Sequence, residues 1–236
     1  MLCMFSCRQR YFHIDASKRV LRVPCIPRRS VNPDVYKMCP DCPTCCEAIY
    51  GILSNRTDSP IGEWSAVMFE YCGGSSFSSD REDPVDVNGG QIWLRERRNI
   101  DAVLAHLDAL GGLLTNATDV VLTGDSAGGL GAYFHADTIA DAVHVNSPNA
   151  KVVSVPGAGF FLDTPRLRGM FQNALTFWNA SLHPGCLAAK ADADKWQCFF
   201  AQYVYPVSVL CRGECVLRPR PQQTLDPHTR FCVCST

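Results

Sequence analysis

A serine between glycines, in the stretch VVLTGDSAGG at residues 120–129, is the part of this sequence best suited to covalent chemistry. Ser126 has Gly124 two residues before it and Gly128 two residues after it. A serine held on a sharp strand-to-helix turn needs small residues at these two places, because larger ones would clash. The pattern predicts a nucleophile elbow, with Ser126 as the nucleophile and the backbone amide of Ala127 as a donor to an oxyanion.

Two other interpretations of this glycine-rich turn are weaker. It could simply open a helix in an α/β protein without any chemistry. It could also cradle a phosphate, but the lysine of the G-x-x-x-x-G-K-[ST] pattern is missing. The strand-like residues before the turn and the helix-like residues after it favour the elbow.

A serine nucleophile needs a general base, and no histidine of the sequence is an evident partner. The six candidates are His13, His106, His135, His144, His183 and His228. We expect His106 on a solvated helix face, and His135 too far along the helix after Ser126 to reach back. His144 and His183 are expected in loops without an acid at a telling position.

The carboxylates do not complete a triad either. Asp226 and His228 follow Ser126 in the right chain order, but with only Pro227 between them they are expected to be turn residues. Asp125 should point away from the base, and we interpret Asp163 as structural. The acid and the histidine of the triad are therefore unknown.

Fourteen cysteines indicate an oxidising compartment. The segment CPDCPTCC at residues 39–46, together with Cys211, Cys215, Cys232 and Cys234, could bind zinc or an iron–sulfur cluster. A second properly spaced pair is missing, so disulfides are the better hypothesis. We predict no metal and no organic cofactor.

Three N-x-S/T sequons also point to the secretory pathway. Asn55, Asn116 and Asn179 are the glycosylation candidates, and the first two are expected in loops. Residues 1–22 contain no apolar core of a signal peptide, so the route of export is not visible in the sequence. We nevertheless predict a secreted or secretory-pathway protein.

Hydrophobic patterning predicts strands that alternate with helices. The strands are expected at residues 64–71, 119–123 and 151–155, and the helices around residues 100–110 and 126–143. Such alternation is typical of a parallel sheet with helices on both faces. The start of MFQNALTFWNASLHPGC could be helical, whereas WQCFFAQYVYPVSVL has the composition of a strand.

Length, charge and composition exclude several classes of protein. A chain of 236 residues that is 47% hydrophobic is sufficient for one globular domain. A net charge of −1 without a basic stripe argues against a nucleic-acid partner, and no long apolar run predicts a membrane span. Residues 1–49 and 206–236 are rich in cysteine, arginine and proline and show no core pattern, so the domain is expected within residues 50–205.

Several motifs occur within residues 50–205 in a fixed order. They are Trp64, Val67 and Tyr71-Cys72; Gly74-Ser75-Ser76-Phe77-Ser78; Gly124 with Ser126-Ala127-Gly128-Gly129-Leu130; Gly159-Phe160-Phe161 with Asp163; and Cys186 with Cys198-Phe199-Phe200 and Gln202-Tyr203-Val204. This ordered set resembles the pectin acetylesterase/Notum family of carboxylesterases.

The resemblance implies an α/β-hydrolase-like fold and the hydrolysis of esters by acyl transfer. Ser126 falls at the family's nucleophile position, Cys186 and Cys198 look like a family disulfide, and Cys72 is a family cysteine. The expected substrate is an acetylated polysaccharide or an acylated protein.

Departures from the family pattern are equally informative. Its Gly-Gly-Gly-Trp-Cys oxyanion motif has no counterpart in residues 1–63, and its segments with the triad acid and histidine have none in residues 206–236. Gly73 stands where the family often has Asp, and Glu96 where it often has Gly.

We therefore expect a sheet of three strands, incomplete at both ends, in a weakly active or inactive esterase. The alternatives are a truncated gene product and a non-catalytic secreted pseudo-enzyme that binds glycan or lipid.

Overall fold

The computed structural model describes residues 2–6, 20–23, 64–71, 73–109, 114–210 and 234–235. Within them, six strands form one sheet in the order β2-β3-β1-β6-β7-β8. These strands are β1 (Leu2–Ser6), β2 (Val20–Val23), β3 (Ala66–Glu70), β6 (Asp119–Asp125), β7 (Lys151–Gly157) and β8 (Cys234–Ser235). A separate hairpin pairs β4 (Val85–Val87) with β5 (Gly90–Ile92).

The first five strands of the sheet are parallel, and only β8 is antiparallel to its neighbour. The three predicted strands correspond to β3, β6 and β7, so the α/β class and the parallel sheet are confirmed. Strands β6 and β7 are parallel neighbours that pair along seven residues each. The segments that follow these two strands therefore lie at the same edge of the sheet.

The sheet has more strands than the sequence indicates. Strand β1 lies between β3 and β6, with Leu2 level with Ala66 on one side and with Val121 on the other. Residues 1–49 therefore contribute a central strand, although they show no periodicity. A strand with neighbours on both sides of a parallel sheet is a short apolar run without alternation, and LCMFS is too short to be recognised among the arginines that follow.

The helices lie between and after the strands. They are α1 (Glu96–Ala109), α2 (Ala127–Asn146), α3 (Pro165–Phe177), α4 (Pro184–Ala188) and α5 (Ala201–Val204), with a 3₁₀ helix at Asp192–Phe199. Helix α2 is the central one and is buried along most of its length. None of the helices in the described part of the chain is long and apolar enough to cross a membrane.

Two sequence-based expectations about these helices are wrong. WQCFFAQYVYPVSVL is largely helical. The reason is that the Phe199 ring stacks on the Phe171 ring of α3, with ring centroids 4.5 Å apart. The Phe200 ring packs edge-on against the same Phe171 ring, with centroids 5.1 Å apart. This tertiary packing overrides the strand-like composition. His144 lies within α2 rather than in a loop, since the helix continues to Asn146.

Candidate active site

Ser126 lies at the junction between β6, which ends at Asp125, and α2, which begins at Ala127. Its backbone has φ 53° and ψ −113°, and its amide donates a hydrogen bond to the Gly157 carbonyl at 3.0 Å. A positive φ on a residue with a side chain costs on the order of 1–3 kcal/mol and persists only where its surroundings enforce it. Ser126 is exposed at this turn. The predicted strand-to-helix elbow is confirmed as a backbone geometry.

Close backbone contacts explain why glycines surround the serine. A Cβ atom on Gly124 would lie 2.4 Å from the carbonyl carbon and oxygen of Gly128. A Cβ atom on Gly129 would lie 2.4 Å from the Gly157 carbonyl oxygen and 2.6 Å from the Gly159 Cα. Helix α2 therefore starts in direct backbone contact with β6 and with the segment after β7, and these contacts hold the turn at Ser126.

The start of α2 is also favourable for an anion. Ala127 is the first residue of the helix, where the amide groups have no partner within the helix. The positive end of the helix dipole lies at the same place. An oxyanion formed beside Ser126 would meet both, although the part of Ala127 in catalysis stays a prediction.

A second loop approaches α2 from the end of β3. In this serine loop, residues 73–79, Phe77 contacts the helix, because a Cβ atom on Gly131 would lie 3.0 Å from the Phe77 ring. The His135 Nε2 lies 2.8 Å from the Phe77 carbonyl oxygen. Ser76 and Phe77 both have positive φ, at 51° and 62°. The backbone of the loop is thus strained, and the loop packs against α2, which begins directly after Ser126.

Glu96, the first residue of α1, holds the serine loop in this shape. Its buried carboxylate accepts backbone hydrogen bonds from Gly73 at 2.6 Å, Ser75 at 3.1 Å and Phe77 at 3.0 Å. The Ser75 hydroxyl donates to the same carboxylate. Burial is the main influence on this group and raises the pKa of Glu96 above its usual value. Nothing but its unusual residue type marks Glu96 in the sequence.

Gly73 and Glu96, the two small departures from the family pattern, are in direct contact. A Cβ atom on Gly73 would lie 2.6 Å from the Cδ and the Cγ of Glu96. An Asp at position 73 could not share this space with the Glu96 side chain. In this chain the two positions are therefore in steric contact, and the loop takes its carboxylate from the first residue of α1.

No described histidine forms a hydrogen bond with Ser126. His135 is nine residues further along α2, which corresponds to about 13 Å at 1.5 Å per residue. Burial lowers its pKa to about 3, so His135 is neutral and donates its Nε2 hydrogen to Phe77. His144 lies near the other end of α2 and bonds to the Ala150 carbonyl at 3.0 Å, and His106 is exposed on α1.

His183 does have an acidic partner, contrary to the expectation from the sequence. Its Nε2 lies 2.9 Å from Oδ2 of Asp137, while its Nδ1 accepts a hydrogen bond from the Cys186 amide at 3.3 Å. Asp137 is eleven residues beyond Ser126 on α2, about 16 Å along the helix. The same carboxylate accepts from the Ser208 hydroxyl at 2.7 Å and the Val209 amide at 2.8 Å. The pair therefore fastens residues 183–210 to α2 and does not serve Ser126.

Comparison with known proteins agrees with this architecture. The family model described as Pectinacetylesterase matches residues 45–208, well over half of the chain. The chain belongs to the pectinacetylesterase family.

Relatives within and near this family include both plant and animal proteins. Pectin acetylesterase 11 from Arabidopsis thaliana is 31% identical over 165 residues, covering 65% of this chain and 39% of the relative. Pectin acetylesterase 5 from the same plant is 32% identical, covering 52% of this chain and 28% of the relative. Palmitoleoyl-protein carboxylesterase NOTUM from Mus musculus is 26% identical, with 66% and 33% covered. The chain thus spans less than two fifths of the length of each of these relatives.

A solved structure shows the same fold. The Wnt deacylase Notum from Drosophila superposes with a TM-score of 0.65 at 21% identity, over 88% of this chain and 59% of that protein. The α/β-hydrolase-like fold of the pectinacetylesterase chain is therefore established.

Asp163 and Tyr203, two further residues of the pectinacetylesterase pattern, contact each other. Asp163, in the segment after β7, accepts the Tyr203 hydroxyl at 3.0 Å and pairs with Arg168 Nε at 2.5 Å. Arg168 keeps the pKa of Asp163 below its usual range. These contacts join α3 to α5, in keeping with a structural part for Asp163. Asp125, the last residue of β6, is exposed.

The structure contains the disulfide between Cys186 and Cys198, whose Cα atoms are 5.8 Å apart. Both cysteines are fully buried, and the bond connects α4 to the 3₁₀ helix. Several other candidates lie outside the described residues: His13, Asn55, Cys72, Asp226, His228 and the cysteines at residues 39–46, 211, 215 and 232. Within the described ranges, no group of three potential metal ligands occurs.

Proposed function

We propose that this chain is a carboxylic ester hydrolase by descent, with Ser126 as its nucleophile. The elbow at Ser126 is the observation that carries the proposal. It combines a positive φ, a strand-to-helix junction and glycine contacts that leave no room for side chains at positions 124 and 129. Such strain is maintained at a site that must present one side chain to a substrate.

The proposed chemistry is acyl transfer in two steps. The Ser126 Oγ attacks the ester carbonyl carbon, its proton passes to a base, and the alcohol leaves as the carbonyl reforms. Water then attacks the acyl-serine ester and releases the acid and the free serine. The Ala127 amide and the start of α2 would stabilise the oxyanion of each tetrahedral intermediate. No metal or organic cofactor is required.

Among the residues that the structure describes, no base for this mechanism is found, and His13 and His228 lie outside them. His135 and His144 lie further along α2, His183 is engaged by Asp137, and His106 is exposed on another helix. A protonated serine hydroxyl without a base is a poor nucleophile, and the loss of triad members lowers the rate by roughly 10⁴- to 10⁶-fold. We therefore propose that the chain as it stands is weakly active or inactive.

The substrate class follows from the names of the relatives. They are called pectin acetylesterases and palmitoleoyl-protein carboxylesterases, so we propose an acetylated polysaccharide or an acylated protein as the substrate. Cysteine content and the sequons Asn55, Asn116 and Asn179 support a secreted or secretory-pathway glycoprotein. Neither charge nor hydropathy supports a nucleic-acid partner or a membrane span.

The positions of the histidines favour one alternative. A non-catalytic secreted protein could keep the elbow and the surrounding walls and use them to bind glycan or lipid. In that case Ser126 is an unactivated hydroxyl on an intact fold.

A serine-directed fluorophosphonate probe separates these two functions. Purified wild type and Ser126→Ala are incubated with the probe, and circular dichroism verifies that both are folded. Labelling of the wild type alone supports an activated nucleophile at Ser126. A folded wild type that stays unlabelled supports the binding protein.

Hydrolysis of a short-chain aryl acetate measures turnover directly. We expect the wild-type rate to lie close to that of Ser126→Ala. A rate well above that of the variant, abolished by His228→Ala or by His183→Ala, would reveal a working triad and contradict the proposed inactivity.

A further inference from the structure

Asn179 occupies the turn that ends α3. Its φ is 46°, its amide bonds to the Thr176 carbonyl at 3.1 Å, and the next amide, that of Ala180, bonds to the Leu175 carbonyl at 3.0 Å. This is a left-handed helix ending, for which Asn is the usual choice after Gly. The ending holds the Asn179 side chain at an exposed position beside the neighbouring loop.

The side-chain amide of Asn179 is oriented by one hydrogen bond. Its Nδ2 donates to the Asp80 carbonyl at 2.8 Å. A primary amide carries two hydrogens, so this bond uses one and leaves the other. Replacement of the second hydrogen by a sugar carbon would therefore keep the contact with Asp80.

A groove of about 210 Å³ adjoins this amide, and its lining contains polar and charged side chains. It is formed by Arg81, Glu82, Asp83, Thr176 and Asn179 itself. Arg81 Nη1 donates to the Phe177 carbonyl at 3.1 Å, but its buried Nε has no hydrogen-bond partner among the described residues. A buried donor in this state could be satisfied by an acceptor that binds in the groove.

We propose that Asn179 carries an N-linked glycan whose first N-acetylglucosamine lies in this groove. Its hydroxyl and acetamide oxygens can accept from the Arg81 guanidinium, and its hydroxyls can donate to Glu82 and Asp83. The inference rests on the secretory location within the proposed function, and it is independent of esterase activity.

The proposed modification is the transfer of a sugar chain to the side-chain amide of Asn179. Asn179 begins the sequon Asn179-Ala180-Ser181. The co-reactant is a lipid-linked oligosaccharide pyrophosphate, as for any N-glycan. The Nδ2–C1 bond forms, Nδ2 loses one proton, and the sugar C1–oxygen bond to the pyrophosphate breaks, so the lipid pyrophosphate leaves. Asn116 is exposed too, but it does not line the groove.

Occupancy is tested on the full chain, expressed behind a cleavable secretion signal in mammalian cells. The secreted protein is treated with peptide:N-glycosidase in ¹⁸O-water and mapped by mass spectrometry. We expect an ¹⁸O-labelled Asp at position 179 in the wild type and in Ser181→Thr, which keeps the sequon, and none in Ser181→Ala. An unmodified Asn179 in the secreted wild type would overturn the proposal.

Seating in the groove is tested by release of the glycan from the native protein. Arg81→Ala removes the unsatisfied donor, and Arg166→Ala removes the same charge from exposed α3 outside the groove. We expect several-fold slower release at Asn179 in the native wild type and Arg166→Ala than in Arg81→Ala. Equal rates in all three native proteins would show that the sugar does not lie in the groove. Denatured samples serve to verify equal occupancy.

Discussion

At the scale of single residues, the proposed function of this chain depends on a turn with a strained backbone. Ser126 adopts φ 53°, and Gly124 and Gly129 allow α2 to touch the backbone of its neighbours. A serine in this conformation is a source of strain and not of stability. The glycines that surround it are needed because of distances between backbone atoms, which a sequence pattern indicates only indirectly.

Gly124→Ala should destabilise the protein by about 1–3 kcal/mol or more. Its Cβ atom would lie 2.4 Å from the Gly128 backbone, which cannot move without displacing α2. Urea unfolding followed by circular dichroism measures the effect. Gly169→Ala is the matched control, because Gly169 lies within α3 and a Cβ atom there would meet nothing within 4 Å. The control should be stabilised by roughly 0.5–1 kcal/mol. Equal changes in the two variants would contradict the contact between Gly124 and Gly128.

At the scale of elements, the serine loop and α1 act as one unit. Glu96 binds three backbone amides of a loop in which Ser76 and Phe77 are both strained. Phe77 in turn contacts α2. The residue type at position 96 thus affects how the serine loop packs against α2, the helix that follows Ser126.

Gly73→Asp and Glu96→Gly should each destabilise the protein, and their combination should be less harmful than the sum. The first substitution alone would press a new side chain against the Glu96 carboxylate, and the second alone would leave buried amides without an acceptor. When both are present, the Asp side chain can bond to amides of its own loop. A double-mutant cycle from urea unfolding should give a favourable coupling of about 1–3 kcal/mol. Additive effects would show that the two positions are independent.

The disulfide between Cys186 and Cys198 fastens α4 to the 3₁₀ helix, and replacing both cysteines by Ala should destabilise the protein by about 3 kcal/mol. The reason is that a closed loop with a sequence separation of 12 reduces the entropy of the unfolded chain. Thermal or urea unfolding measures the loss. Peptide mapping under non-reducing conditions provides the check, since a free thiol at either position in the wild type would contradict the bond.

At the scale of the whole molecule, acid should unfold the protein through His135. Its pKa is about 3 when folded against an ordinary 6.5, because burial disfavours the charged form and Arg97 adds to this. The unfolded chain therefore binds a proton that the folded chain does not, and the stability present above pH 6.5 falls as the pH decreases towards 3. The slope should approach about 1.4 kcal/mol per pH unit.

His135→Gln provides the control for this pH dependence. An amide can still donate to the Phe77 carbonyl but does not titrate. Urea unfolding of both proteins between about pH 7 and pH 4 should show the wild type losing stability relative to the variant. Parallel curves would mean that His135 does not titrate across this range in either state.

The sequence alone was sufficient for the features that depend on local patterns. Apolar periodicity predicted β3, β6, β7, α1 and α2, and glycine spacing placed Ser126 at a strand-to-helix turn. The ordered motifs pointed to the pectinacetylesterase family, and the family model confirms it. Each of these elements is set by residues within about 20 positions of one another, where propensity and steric demands act directly.

The tertiary structure decided what depends on contacts between distant parts of the chain. Leu2–Ser6 became a central strand because β3 and β6 supply hydrogen bonds on both sides. Phe199 and Phe200 entered helical turns because Phe171 packs against both rings. The bond between Glu96 and the serine loop, like the pairing of His183 with Asp137, joins residues of different elements. No local pattern encodes such partners, since burial and hydrogen bonding are properties of the assembled fold.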